Sequence, residues 1–211
     1  MRLLLTAFEP YDQWKTNSSW LTLAELLKDL PAGGALVTRR YPVDLPSLQE
    51  KLEADLARDF DVVLHLGQSP GASSIKLEAI AVNAAGCLED RGDELVEIVP
   101  GGPVAYRTTM PLRRWSELLR SNHIPAVISY HAGTFLCNAV MYLSHHELQR
   151  RTGKKPKRTS MVGFVHLPLA TEQVVSHGQT LPSLPLSTLA RAVRLLVEDL
   201  QAAYAQTEHV A

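Results

Sequence analysis

Cys137, His166 and Glu78 are side chains of the kinds that together cleave acyl bonds, and the sequence around each one suggests a defined position in a fold. Cys137 closes the stretch Ile128-Ser129-Tyr130-His131-Ala132-Gly133-Thr134-Phe135-Leu136-Cys137. The apolar run Ala126-Val127-Ile128 reads as a buried strand that breaks at Ala132-Gly133, after which an amphipathic helix starts from about Leu136. A thiol in the first turn of a helix meets unpaired backbone N–H groups and the positive end of the helix dipole. Both favour the thiolate, the form that attacks carbon. The competing reading of Cys137 is a small buried apolar residue.

His166 ends a second apolar run, Met161-Val162-Gly163-Phe164-Val165-His166, just before Pro168. In open α/β sheets functional side chains collect at the carboxyl ends of parallel strands. Two consecutive strands joined by one helix would bring Cys137 and His166 to the same edge, where the imidazole serves as the base that a thiol needs. Standing alone, such a histidine is a packed or hydrogen-bonded surface residue. Glu78 lies in Ile75-Lys76-Leu77-Glu78-Ala79-Ile80-Ala81-Val82-Asn83, a stretch apolar enough to be largely buried. A buried carboxylate must be paired, and a Cys–His pair uses a third group to orient the imidazole. The alternative for Glu78 is the solvent face of a half-exposed strand.

Buried strands are expected at about 2–7, 35–41, 61–66, 126–130 and 159–166. Helical spacing connects them: Trp20, Leu23, Leu26, Leu27 and Leu30 after the capping cluster Asn17-Ser18-Ser19, then Leu48, Leu52 and Leu56, and finally Leu186, Leu189, Ala190, Val193, Leu196, Val197 and Leu200. Such stripes are core faces. From Ser74 to Val99 the alternation breaks: a strand through Val82 and a return strand at Leu95–Val99, joined by the polar Glu89–Asp93, read as a hairpin-like insertion. The expected fold is one domain over 1–211, a three-layer α/β/α sandwich with a mostly parallel central sheet and a β-hairpin insertion.

With 211 residues, 45% of them hydrophobic, the chain can bury a full core. A net charge of −1 argues against a general polyanion-binding surface. The basic run Arg150–Arg158 has no interleaved aromatics and reads as a solvated loop, so no nucleic-acid partner is expected. Cys87 and Cys137 show no pairing pattern, which fits a reducing compartment and a cytoplasmic setting. Met1–Thr6 is too short an apolar run for a signal peptide, and no stretch is long enough to span a membrane. His65, His131, His145, His146 and His166 lack the spacing of a zinc motif, so no metal is expected; His145 and His146 belong to a helix with a packed and a solvated face.

Taken together, these residues resemble the pyroglutamyl peptidase I family of cysteine exopeptidases. Four blocks carry the resemblance in order: Thr6-Ala7-Phe8-Glu9-Pro10-Tyr11 followed by Asn17-Ser18-Ser19; Leu77-Glu78 through Asn83; Ala132-Gly133-Thr134-Phe135-Leu136-Cys137-Asn138; and Gly163-Phe164-Val165-His166-Leu167-Pro168. The resemblance implies Cys137 as nucleophile, His166 as base and Glu78 as orienter. It implies Phe8 and Tyr11 as clamps on a pyroglutamyl ring, Leu136 as a pocket wall and the Gln68 backbone as the partner of the lactam. The implied reaction removes an N-terminal pyroglutamate from a peptide through a thioester, with no cofactor. A homotetramer or homodimer is the implied assembly.

The chain departs from the family pattern around the pocket. Tyr11 replaces a phenylalanine, Asp12-Gln13 replaces a glycine pair, and Gln68–Ser73 contains no arginine. A second family arginine is missing near Cys87, and His131 takes the place of a small polar residue. Two further readings therefore stand beside the first: a cysteine hydrolase of the same fold acting on another small cyclic or N-terminal acyl amide, and a non-catalytic binding relative.

Overall fold

The computed structural model describes residues 1–29, 35–86, 96–152 and 160–208. Its elements in chain order are β1 (Arg2–Phe8), α1 (Ser18–Leu26), β2 (Ala35–Tyr41), α2 (Leu45–Leu56), β3 (Val62–Gln68), β4 (Ile75–Glu78), β5 (Ile80–Val82), β6 (Ala105–Arg107), α3 (Leu112–Ser121), β7 (Ala126–Ser129), α4 (Leu136–Thr152), β8 (Met161–Leu167), β9 (Leu169–Ala170), α5 (Thr171–His177), β10 (Ser183–Leu184) and α6 (Leu186–Glu208). Six strands form the central sheet in the order β2-β1-β3-β8-β4-β7. The pairs β1–β2, β1–β3, β3–β8 and β4–β7 are parallel, and β4–β8 is antiparallel.

Alternation along the strands sorts side chains into two layers. Leu3, Leu5, Val62, Leu64, Leu66, Ile75, Leu77 and Val165 meet Leu23, Trp115, Leu189, Val193 and Leu196 of α1, α3 and α6. Leu4, Phe8, Val63, Val162 and Phe164 meet Leu48, Leu52, Val140 and Met141 of α2 and α4 on the other face. The three-layer α/β/α architecture with a mostly parallel sheet is the one the apolar patterns lead to. Asn17 caps α1 by accepting from the Ser19 N–H at 3.0 Å. Leu27 is 43% exposed, so the α1 stripe ends at Leu26; Leu30 lies outside the described residues.

The stretch from Ser74 onward is divided between two sheets. Its first half, β4, is an inner strand of the central sheet. Ala79 then breaks the run, and β5 pairs antiparallel with β6 as the hairpin. Of the return strand expected at Leu95–Val99, Val96 makes one antiparallel bridge to Ala85. Leu95 and the Glu89–Asp93 turn lie outside the described residues. Only residues 69–74 separate β3 from β4, too few for a crossover helix, so β4 runs back from the edge at which β3 ends.

β7 follows the direction of β4 and so opposes β8. The expectation that Cys137 and His166 meet because both follow parallel strands is therefore corrected: residues 130–135 carry the chain back to the β8 end before α4 begins. Gly133, at φ +80°, turns that segment in a conformation favoured by glycine. Among the described residues, no helix is long and apolar enough to cross a membrane.

Candidate active site

The carboxyl ends of β1, β3 and β8 share one edge of the sheet, and α4 starts above it. Cys137 is the second residue of α4. Its place over the sheet is fixed by Gly67 of β3, the register partner of His166: a Cβ at Gly67 would stand 3.1 Å from the Cys137 sulfur and 2.5 Å from Cζ of Phe164. Glycine leaves the space in which the thiol and the Phe164 ring pack. Asn138 ties the nucleophile helix to the segment around β5. Its carboxamide accepts from the Val82 N–H at 2.8 Å and donates to the Val82 and Ala84 carbonyls, each at 2.9 Å.

His166 and Glu78 meet across the antiparallel β8–β4 pair. Glu78 lies opposite Phe164 and Lys76 opposite His166, so Glu78 is the diagonal neighbour of His166 on the same face. His166 Nδ1 is 2.8 Å from Glu78 Oε1. A carboxylate only accepts, so Nδ1 carries the proton and Nε2 is left for the sulfur. Glu78 is fully buried, which settles its position against the solvent-face alternative, and its Oε2 has no hydrogen-bond partner among the described residues. Such a carboxylate depends on the imidazole beside it. Burial on its own lowers the His166 pKa. Cys137, by charge and hydrogen bond, and Glu78, by hydrogen bond and charge, outweigh that and hold it at about 9. The arrangement favours a protonated imidazole set between the Cys137 sulfur and the Glu78 carboxyl group.

In front of this group lies a cavity of about 180 Å³ whose lining includes Phe8, Tyr11, Gln68, Leu136, Cys137 and His166. Ligand pockets for drug-sized molecules run from about 300 Å³ upward, so this one suits a small ring. Phe8 and Leu136 are almost fully buried. The start of α1 holds the Phe8-Glu9 segment: Ser19 Oγ accepts from the Phe8 N–H at 3.1 Å, and Asn17 Nδ2 donates to the Glu9 carbonyl at 2.9 Å. The Gln68 side chain turns away to accept from the Ser18 N–H at 2.7 Å and Gln173 Nε2 at 2.8 Å. Its backbone carbonyl instead faces the Tyr11 hydroxyl at 3.5 Å. Burial, then the charge on Cys137, pushes the Tyr11 pKa up to about 12, so this hydroxyl stays protonated and can donate. Asp12 takes a left-handed φ of 53°, a conformation a glycine at this position would adopt without strain.

Of the seven residues singled out from the sequence, Phe8, Tyr11, Gln68, Leu136, Cys137 and His166 line this cavity, and Glu78 stands behind His166. Gly67, Phe164 and Asn138 also shape the site. A glycine inside a strand is the only sequence signal for the first, while Phe164 and Asn138 fall inside the blocks that carry the resemblance but had no role assigned to them. The other four histidines weighed as metal ligands make separate contacts. His65 lies between Thr6 Oγ1 at 2.7 Å and Ser144 Oγ at 2.9 Å. His145, expected on a packed or solvated helix face, is buried and stacked on Tyr106, whose hydroxyl meets His146 Nδ1 at 2.9 Å. His131 Nδ1 accepts from the Gly133 N–H at 2.9 Å.

The sequence profile of the family described as pyroglutamyl peptidase matches residues 1–203. The pyrrolidone-carboxylate peptidase of Pyrococcus furiosus is 38% identical over 207 residues, covering 94% of this chain and 97% of its own. That of Clavibacter michiganensis is 35% identical over 200 residues, covering 92% and 90%. The crystal structure of the pyrrolidone carboxyl peptidase of Fervidobacterium islandicum superposes with a TM-score of 0.83 at 34% identity, covering 96% of this chain and 99% of that one.

Proposed function

The chain belongs to the pyroglutamyl peptidase family, and we propose that Cys137, His166 and Glu78 are the residues with which it removes an N-terminal pyroglutamyl residue from peptides. It is a cysteine peptidase, and the observation that carries the residue assignment is His166 held between Cys137 and Glu78. The ring enters the pocket between Phe8 and Tyr11 against Leu136, and its lactam N–H donates to the Gln68 carbonyl. The Cys137 thiolate attacks the pyroglutamyl carbonyl carbon and forms the C–S bond. The resulting oxyanion is met by backbone N–H groups at the start of α4, which have no intrahelical acceptors.

Collapse of that intermediate breaks the C–N bond, and His166 Nε2 gives its proton to the departing amine. The thioester then carries no thiolate. The leading influence that raised the His166 pKa is gone while burial remains, so the imidazole is neutral and ready to act as a base. It takes a proton from water, the hydroxide adds to the thioester, and expulsion of the thiolate frees pyroglutamate. His166 thus serves as acid in the first half and base in the second because the charge beside it comes and goes. A thiol that must stay reduced fits a cytoplasmic setting, and one domain over 1–211 carries the whole site.

The test is release of a fluorescent amine from a pyroglutamyl amide by the wild type and by Cys137→Ala. We expect wild-type turnover and a loss of at least about 10⁴-fold in the variant. Rapid alkylation of Cys137 without turnover would discard the pyroglutamyl substrate and keep a cysteine hydrolase of another small amide. No turnover with an unreactive Cys137 would point to a binding protein.

A further inference from the structure

Lys76 sits beside the catalytic histidine without a counter-charge. It is the register partner of His166 across the β4–β8 pair, so the two side chains leave the same face of the sheet next to each other. It is half-buried, and its Nζ reaches Ser69 Oγ at 3.4 Å, a long contact to a neutral group on the loop that follows Gln68. Among the described residues no carboxylate lies within ion-pair distance of Lys76; Glu78, two residues along the strand, is committed to His166. A partly desolvated ammonium with only a hydroxyl for company gains most from an anion that arrives from outside.

The strand order says which part of a substrate would bring that anion. Across the active edge run β1, β3, β8 and β4. Phe8 and Gln68, at the ends of β1 and β3, line the ring pocket; Cys137 packs over Gly67 of β3; His166 is on β8; Lys76 is on β4. With the ring at one end of this row and His166 protonating the departing nitrogen, the released residue extends beyond His166, over β4. We infer that Lys76 is a specificity-determining residue that binds a carboxylate on the residue released after pyroglutamate. The carboxylate is either the free C-terminus of a pyroglutamyl dipeptide or an acidic side chain. The inference rests on the pyroglutamyl reading above.

Four peptides test it: pyroglutamyl-alanine and its amide, and the amides of pyroglutamyl-glutamate and pyroglutamyl-glutamine. In the wild type each carboxylate-bearing peptide should have a kcat/KM about 3- to 10-fold above its neutral partner, as a half-screened ion pair provides, with the difference mainly in KM and fading at high salt. Lys76→Met should bring the acid-to-neutral ratio to about one, and Lys76→Glu should invert it. A preference only within the alanine pair assigns the C-terminal carboxylate; one only within the glutamate pair assigns the side chain. Equal rates for acid and neutral partners in the wild type, or a preference that survives in both variants, would overturn the role of Lys76 while leaving the peptidase intact. If none of the four is cleaved, the pyroglutamyl reading and this inference fail together. If one variant does not fold, the other still decides, since either must lose the acid preference for Lys76 to be its source.

Discussion

Two buried histidines, His65 and His166, stand on adjacent strands of the same sheet, face the same helical layer and flank the same Phe164 ring, yet they end in opposite protonation states. His65 meets the hydroxyls of Thr6 and Ser144, and burial, then the charge on His145, lowers its pKa to about 3. His166 is also buried, though it lines the cavity, and burial pulls on it in the same direction. Cys137 and Glu78 nevertheless hold its pKa near 9. Burial is common to both, so the formal charges within reach make one histidine structural and the other a candidate for chemistry.

Replacing each histidine should separate these roles. His166→Ala should lose at least about 10³-fold in kcat/KM, the share of a general acid and base. His65→Leu should keep the folded enzyme active within a few-fold but strand two buried hydroxyls, each costing about 1–3 kcal/mol in a urea titration. A fully stable His65→Leu enzyme without activity would sink the distinction. The pH dependence should split the same way. An unfolded histidine takes up a proton near pH 6.5, which folded His65 refuses until about pH 3, so stability should fall as pH drops below ~6.5, and His65→Leu should flatten that limb. Folded His166 keeps its proton up to about pH 9. Its contribution is present in full below ~6.5 and lost as pH rises through about 9, and Cys137→Ala, which removes the leading upward influence, should flatten this second limb. Urea midpoints from acid to alkaline pH in the four proteins measure both.

A smaller effect should come from the wall between the two histidines. A methyl group at Gly67 would press on Phe164 and the Cys137 sulfur together. Misplacement of reacting atoms by about 1 Å can cost about 10²-fold, and Gly67→Ala should lower kcat by that order with KM changed less. Trimming the obstructing ring in Gly67→Ala/Phe164→Leu should recover part of the loss. A Gly67→Ala enzyme with wild-type kcat would show that the sulfur has room to move.

Sequence patterns locate the inner strands well because buried parallel strands are continuous apolar runs: Val62–Gln68, buried throughout, starts one residue later and ends two residues later than expected. Ala35–Tyr41 has the expected bounds, but it is a half-buried edge strand in which only Tyr41 is buried. Cys137, His166 and Glu78 were legible as a chemical set. Their meeting point was not, because it depends on strand direction. Nothing in Ile75–Glu78 shows that it enters the sheet antiparallel beside β8, the register that brings Glu78 to His166, or that β7 runs the same way. The return strand was misplaced for a related reason: β5 takes its partner from Ala105–Arg107, a three-residue segment too short to carry a period. Gly67 had no signal beyond its type, since its role is the absence of atoms where Phe164 and Cys137 arrive from elsewhere.

The mildest change concerns the hydroxyl that distinguishes Tyr11 from the family's phenylalanine. It touches the Gln68 carbonyl at 3.5 Å, a weak hydrogen bond, and remains protonated because burial, then the Cys137 charge, opposes its ionisation. A bound lactam would offer its N–H to that same carbonyl, displacing the hydroxyl and leaving it to donate to the ring's own C=O. Tyr11→Phe keeps the aromatic clamp and removes one neutral hydrogen bond of about 0.5–1.5 kcal/mol, so KM should rise about 2- to 12-fold while kcat stays nearly level. A prolyl amide has the same ring size without the carbonyl, and the variant should treat it as the wild type does. The preference for pyroglutamyl over prolyl would then narrow by the factor by which KM rises. An unchanged preference would mean that Tyr11 acts only as a ring face, and that the Gln68 backbone alone reads the lactam.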